Sequence, residues 1–287
     1  MKRFWLFSIA VLCCAALFAA DPSDLVQSER SFSRLAVEKG VRTAFLEYLA
    51  EDSVVFQNGP VNGRKWYQGR PDSPGVLYWA PAVAELSAAG DIGYSSGPWE
   101  YRKSSMEETP VAYGTFVSIW KKQPDGRFKV AVDLGCSYPS ASITVASLEK
   151  AAIRPAPEGK AVKWANPDEE KSKLMEADSN FSAISAEKGA SAAYEVWAVP
   201  EIRIVRDGRE PVSAPGKVKA EIERISGTLT WTPAAAGVAS TADLGYTYGE
   251  SNLAGPAGAE KGDYLRIWKR QPDGGWKAIL DVISKRE

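Results

Sequence analysis

The chain of 287 residues contains no histidine, and its three cysteines are unevenly placed. Cys13 and Cys14 lie in an apolar N-terminal run, so that Cys136 is the one cysteine beyond it. A lone cysteine cannot form an internal disulfide, and a chain without histidine cannot build a Ser-His-Asp triad, a Cys-His pair or a histidine-based metal site. The sequence also lacks a glycine-rich phosphate loop, a Cys-x-x-Cys pair and a metal-type acidic cluster. It therefore predicts neither a cofactor nor a metal.

An excess of charge of one sign is also missing. The chain has 35 basic and 36 acidic residues, with a formal net charge of −1, and no run of lysines or arginines. Nucleic-acid binding and a polybasic membrane contact would each need such a run, so the sequence predicts neither. The hydrophobic fraction of 45% over this length is sufficient for two ordinary globular cores.

The N-terminus has the pattern of a secretory signal peptide. A basic start, Met-Lys-Arg, precedes an uncharged run over residues 4–20 that ends in small residues before Asp21. We therefore expect residues 1–20 to be removed, leaving a periplasmic or secreted protein of a bacterial envelope with no membrane insertion after cleavage. The alternative is a membrane anchor, for which the run is short.

Internal repetition is the strongest feature of the sequence. The stretch IWKKQPDGRFKVAVD (residues 119–133) returns as IWKRQPDGGWKAILD (residues 267–281), 148 positions later. Three further motifs return in the same order, at residues 32–40 and 181–189, 77–81 and 229–233, and 90–97 and 242–249. The chain therefore consists of two copies of one domain. We place the first at residues 21–150 and the second at residues 167–287, joined by a proline-rich linker at residues 151–166.

Local signals within each copy predict helices followed by an antiparallel meander of about four strands. Each copy opens with a helix that ends at Gly40 or Gly189. The Gln-Pro-Asp-Gly turn predicts a hairpin that places Trp120 opposite Val130 and Val117 opposite Asp133. In the second copy the same register places Trp268 opposite Ala278 and Leu265 opposite Asp281.

These motifs together resemble the SnoaL-like members of the nuclear transport factor 2-like superfamily, in particular bacterial domains of unknown function. The pattern is F-x5-EKG, W-x-P, G-D-[IL]-G-Y-x-x-G and I-W-K-x-Q-P-D-G-x-[FW]-K-x3-D, over nearly all of residues 25–138 and 174–283. The resemblance implies an α+β fold with two tandem cones, each a curved antiparallel sheet wrapped around helices with a pocket at its open end. The second copy departs from the pattern, because Gly97-Pro98-Trp99 becomes Gly249-Glu250-Ser251.

Without histidine, a general base must be a carboxylate, a tyrosine or a lysine. Asp133 and its counterpart Asp281 are the best candidates, since the predicted register surrounds Asp133 with Ile119 and Ala131 and apolar surroundings raise a carboxyl pKa. We rank Asp133 first, because its copy keeps Trp99. The alternative is that both aspartates only accept backbone hydrogen bonds at strand ends.

Aromatic residues are the candidates for the walls of the two pockets. They are Tyr94, Trp99, Tyr113, Trp79, Tyr246 and Trp231. The alternative for the repeated tryptophans, including Trp120 and Trp268, is an anchoring role in the cores. Asp91 and Asp243 have the context of turn residues.

Three functions remain open. The first is a non-catalytic module that holds a small apolar or aromatic molecule, with one pocket per cone. The second is a lyase, isomerase or hydrolase in which Asp133 is the base beside Tyr94 or Tyr113. The third is an interaction scaffold in which the two copies pack sheet against sheet as an intramolecular pseudo-dimer. The first is favoured, and whether the protein is an enzyme stays open.

Overall fold

The structure is a computed structural model that describes residues 21–148, 166–256 and 258–287. The predicted signal peptide and residues 151–165 of the predicted linker lie outside the described residues. Among the helices that are described, none combines the length and the apolar character needed to cross a membrane. The elements form two successive sets with nearly the same order.

The first set lies between residues 21 and 148. Its helices are α1 (Ser23–Lys39), α2 (Val41–Tyr48), α3 (Gly63–Gln68) and α4 (Val145–Leu148). Its strands are β1 (Leu49–Phe56), β2 (Pro60–Asn62), β3 (Val76–Trp79), β4 (Val83–Leu86), β5 (Ile92–Arg102), β6 (Ala112–Lys122) and β7 (Phe128–Tyr138).

The second set follows from residue 166. Its helices are α5 (Pro167–Lys188), α6 (Ala190–Trp197) and α7 (Pro215–Glu223). Its strands are β8 (Ala198–Arg206), β9 (Arg209–Val212), β10 (Thr228–Val238), β11 (Leu244–Gly255), β12 (Gly258–Arg270) and β13 (Trp276–Lys285). The long strand β10 takes the place of β3 and β4 of the first set.

Each set builds one sheet, and the two sheets share one topology. The strand orders are β2-β1-β7-β6-β5-β3, with β4 also on β5, and β9-β8-β13-β12-β11-β10. The predicted α+β class with two units is confirmed, as is the antiparallel meander of β5 to β7 and of β11 to β13. Each meander has one parallel neighbour in addition, because β1 pairs in parallel with β7 and β8 with β13. The first strand of each copy returns beside its last strand, and such parallel neighbours need a long connection.

Three apolar clusters hold these layers together. One cluster in each copy joins the first helices to the inner face of its own sheet, around Phe32 and Trp120 in the first copy and Phe181 and Trp268 in the second. A third cluster combines residues of both sheets, including Val117 and Leu265. Each sheet therefore has one face toward its own helices and one face toward the other copy.

A β-bulge corrects the predicted register. Trp120 pairs with Val130 as expected, but the ladder then shifts by one residue, so that Asp133 pairs with Ser118 and not with Val117. Asp281 likewise pairs with Arg266 and not with Leu265. One extra residue on a strand reverses the faces of the residues beyond it. Ala131 is the extra residue in β7, and the bulge turns Asp133 toward the helices.

Candidate functional site

The inner face of the first sheet and its helices enclose a cavity of about 220 Å³. Its walls are mainly aromatic and come from α1, α2, α3 and strands β3, β5, β6 and β7. The lining residues are Phe32, Phe45, Tyr67, Leu77, Trp79, Trp99, Phe116, Ser118, Asp133 and Gly135. Asp133 is the one charged side chain in this set. The cavity is therefore an apolar compartment with a single anionic group in its wall.

Aromatic contacts fix the shape of this compartment. The rings of Phe45 and Tyr67 are stacked with centroids 4.3 Å apart, and the ring of Phe32 meets that of Trp79 edge to face at 4.8 Å. Trp99 lies over Gly114 on the neighbouring strand, where a Cβ atom would be 2.2 Å from the indole ring. The walls are thus held by one another, which favours a preformed site.

Asp133 is partly buried, and its carboxylate accepts a hydrogen bond of 2.6 Å from the Ser118 hydroxyl. Burial raises the pKa of Asp133 to about 6, and the hydrogen bond from Ser118 opposes this rise. The pKa of Asp133 is therefore raised as predicted, but the residues around the carboxylate are not the predicted ones. Ile119 and Ala131 belong to the cluster between the sheets, and the cavity places aromatic rings around Asp133 instead.

Glu29 on α1 is a second buried carboxyl group of this copy, which the sequence reasoning missed. It accepts hydrogen bonds from the indole nitrogens of Trp79 (2.5 Å) and Trp120 (3.0 Å) and from the Ser95 hydroxyl (2.5 Å). Burial raises the pKa of Glu29 to about 7, and the charge of Asp133 adds to the rise. The available signal was its spacing, because Leu25, Glu29 and Phe32 follow one face of the helix.

The other candidate wall residues divide into two groups. Trp79 and Trp99 line the cavity together with Asp133. Tyr94 and Tyr246 lie instead in the cluster between the sheets, because their strand positions alternate to the outer face. Tyr113 donates to the Pro110 carbonyl at 3.3 Å near the start of β6. Neither Tyr94 nor Tyr113 is therefore the expected donor beside Asp133.

The second copy arranges the equivalent residues differently. The predicted wall residue Trp231 donates its indole N–H to Asp178 at 2.8 Å and is buried in the core. Asp281 is fully buried, with ion pairs to Arg266 and Arg206 and a hydrogen bond from Tyr194. Burial would raise the pKa of Asp281, but the two guanidinium groups lower it to about 2. A carboxylate held in this way is a poor general base near neutral pH.

A second cavity of about 410 Å³ adjoins Asp133 on the polar side. Tyr67, Asp133 and Gly135 line both this cavity and the aromatic one. Part of its wall comes from the second copy, through Asp263 and Ser284. Asp133 thus lies between an aromatic compartment and a polar groove to which both copies contribute. Within the described ranges, no set of acidic and cysteine side chains is arranged to hold a metal ion.

Comparison with solved structures finds several nuclear transport factor 2-like and ketosteroid isomerase-like proteins. A nuclear transport factor 2-like protein of unknown function from Pseudomonas putida matches with a TM-score of 0.35 and 12% identity, over 42% of this chain and 89% of its own. A ketosteroid isomerase-like protein from Erwinia carotovora matches with a TM-score of 0.34 and 13% identity, over 40% of this chain and 95% of its own. A nuclear transport factor 2-like superfamily protein from Salmonella enterica matches with a TM-score of 0.35 and 11% identity, over 42% and 93%.

The matched length is about that of one of the two copies, and the similarity is one of fold. The Pseudomonas and Salmonella structures carry the name of the nuclear transport factor 2-like superfamily, which the sequence motifs resemble. No protein-family model matches the chain. No curated protein matches it either.

Proposed function

We propose that the protein is exported and that its first copy binds a small organic molecule in the aromatic cavity, with Asp133 as the polar anchor. The observation that carries the proposal is the cavity of about 220 Å³ with aromatic walls and a single carboxylate. An apolar cavity of roughly 150 Å³ is enough to hold benzene, so this one suits a single ring or a short branched chain with a polar group. The signal-peptide pattern of residues 1–20 supports export. Mass spectrometry of the protein from its native host tests this, because the mature chain should begin near Asp21.

Filling the cavity tests the binding. Leu77 lines it and is partly buried, so Leu77→Trp should occupy the space of a ligand. We expect single-ring fragments that bind the natural protein, detected by ligand-observed NMR, to lose at least tenfold in affinity. Leu253→Trp is the matched control, because Leu253 is equally peripheral and lines a cavity of the second copy. Equal loss in both variants, or no fragment bound by the natural protein, would contradict the proposal.

Proton transfer by Asp133 is the second candidate function. The observation that favours it is a partly buried carboxylate whose pKa, raised by burial, is about 6, within reach of an apolar compartment. A base with such a pKa is suited to removing a proton next to a carbonyl group. Cyclohexanone in heavy water is a suitable probe, with hydrogen exchange followed by NMR. We expect Asp133→Asn to slow the protein-dependent exchange by about 10², and an unchanged rate would contradict this role.

A further inference from the structure

The second copy already contains a cation inside its own aromatic cage. The guanidinium of Arg266 lies 4.2 Å from the ring centroid of Trp231, 4.4 Å from that of Phe181 and 5.2 Å from that of Tyr264. Arg266 is fully buried. Cations within about 6 Å of an aromatic centroid are attracted to the ring face, most strongly when water is excluded. These rings therefore form a cation-binding cage that is occupied by a side chain of the same chain.

Two carboxylates complete the cage around Arg266. Asp281 accepts from its Nε atom at 2.9 Å, and Asp178 accepts from its Nη1 atom. Asp178 also accepts hydrogen bonds from Trp231 (2.8 Å) and from the Tyr264 hydroxyl (2.7 Å), so one carboxylate fixes two walls. Such pairing offsets the high cost of burying a guanidinium group.

The first copy has a similar cage at the equivalent positions, without the arginine. Strand pairing identifies the equivalent positions, since Ser118 pairs with Asp133 where Arg266 pairs with Asp281. The other matched pairs in sequence order are Glu29 and Asp178, Phe32 and Phe181, Trp79 and Trp231, and Phe116 and Tyr264. Glu29 accepts from Trp79 as Asp178 accepts from Trp231. A serine in place of the long arginine leaves the aromatic cavity beside Asp133.

We propose that this cavity binds an organic cation of the guanidinium or alkylammonium class, which takes the place that the Arg266 side chain takes in the second copy. The inference rests on the proposed binding function and names the class of ligand. Of the described residues that line the cavity, none is basic. A ligand cation would therefore be the charge partner of Asp133, as Arg266 is of Asp281.

The polar groove beside Asp133 has the carboxylates of Asp263 and Glu287 and the ammonium of Lys285 in its wall. Asp133 lines both compartments, so a cation seated against it has its apolar part among the rings and a path to water through the groove. Tyr67 of α3 also borders both compartments, and Ser118 of β6 bonds directly to the carboxylate. A ligand with a cationic head and a short apolar body matches this division.

A matched pair of ligands tests the inference. Propylguanidinium and propylurea have nearly the same shape, but only the first is charged. Calorimetry on the whole chain at pH 7.5 should give at least tenfold tighter binding of propylguanidinium. Asp133→Asn should abolish this preference and leave the weak binding of propylurea unchanged. Ser118→Arg should block both ligands, because it places an internal cation in the cage.

The pH dependence gives a readout that needs no variant. Cation affinity of the natural protein should fall about tenfold per pH unit below the pKa of Asp133, which is about 6, and level off above it. The other charged groups near Asp133 are Glu29 of α1, which is bonded to Trp79 and Trp120, and Asp263, Lys285 and Glu287 in the wall of the groove. Equal binding of the two ligands, or a cation affinity that does not change with pH, overturns the cation inference while cavity binding stands. Binding of neither ligand contradicts the proposed function as well.

Discussion

Asp133 and Asp281 are the same residue at the same strand position, yet their partners give them opposite pKa shifts. Burial raises the pKa of Asp133 to about 6, since the opposing contribution comes from one serine hydroxyl. Burial acts on Asp281 too, but Arg266 and Arg206 outweigh it and lower the pKa to about 2. Two exchanges separate these surroundings, because Ser118 stands where the second copy has Arg266, and Gln57 stands where it has Arg206.

Exchange of each aspartate for asparagine should change stability in opposite directions. The folded-state pKa of Asp133 exceeds the ordinary value of 3.8, so the native state binds its proton more tightly and loses stability as pH rises from about 4 to 6. Asp133→Asn removes this loss. We expect a gain of about 1 to 3 kcal/mol in the free energy of unfolding at pH 7, and none below pH 4.

Asp281→Asn is the matched control and should destabilise. The stabilisation from a lowered pKa is present above pH 4 and is lost as pH falls from about 4 to about 2. Removing this carboxylate at pH 7 leaves Arg206 and one side of Arg266 unpaired, at a cost of about 3 to 5 kcal/mol. Urea unfolding of both variants across pH 3 to 8 measures the two effects. Shifts of the same sign at pH 7 would refute this account of the two sites.

At the scale of the element, the parts predicted best from the sequence are those with local causes. The opening helices end where Gly40 and Gly189 take positive φ values of 85° and 87°. The hairpin turn forms as predicted, with Gly126 at φ 85° and Gln123 donating its N–H to the Arg127 carbonyl at 2.7 Å. Residues only a few positions apart determine these helix ends and this turn, so the sequence pattern is sufficient to predict them.

The bulge and the parallel pairing could not be predicted in the same way. Ala131 looks like any small apolar strand residue, and nothing in its neighbours indicates that it is left out of the ladder. The pairing of β1 with β7 joins segments about 80 residues apart, which only the closed sheet brings together. Because the bulge decides which face Asp133 takes, the aspartate was predicted as a candidate while its aromatic surroundings were not.

At the scale of the whole molecule, the outer faces of the two sheets share one apolar cluster. Reciprocal hydrogen bonds border it, since Asp243 accepts from the Ala88 N–H at 2.8 Å and Asp91 accepts from the Ser240 N–H at 2.9 Å. Each predicted turn aspartate thus also binds the matching turn of the other copy. Tyr94 lies in the cluster for the same reason, because the facing sheet buries residues that a single cone would leave outside.

One buried ion pair breaks this symmetry. Glu85 of the first copy pairs with Lys269 of the second, and both side chains are more than nine-tenths buried. Gly237 is the counterpart of Glu85, since Glu85 pairs with Tyr94 on its strand neighbour as Gly237 pairs with Tyr246. Lys121, the counterpart of Lys269, lies over the Tyr246 ring at 5.8 Å instead. The first copy alone therefore carries both partners of the pair.

We predict that residues 21–148, produced alone, form a symmetric dimer through this face. The outer sheet face is too apolar to remain exposed, and a twofold axis would place each Glu85 beside Lys121 of the other chain. Residues 166–287 alone should associate more weakly, because Gly237 offers no carboxylate to Lys269. Glu85→Gly copies that deficiency into residues 21–148. It should weaken their dimer at least a hundredfold, since loss of one partner from a buried pair costs about 3 to 5 kcal/mol.

Sedimentation equilibrium of residues 21–148, of residues 166–287 and of the Glu85→Gly variant measures the association constants directly. Glu107→Gly is the control, because Glu107 is exposed and lies in the loop between β5 and β6, outside the shared cluster. A monomer of residues 21–148 at micromolar concentration, or equal weakening by Glu85→Gly and Glu107→Gly, would exclude the symmetric pairing. A dimer that Glu85→Gly weakens and Glu107→Gly does not would mean that the outer sheet face is sufficient for self-association. The ion pair would then set the affinity of the dimer.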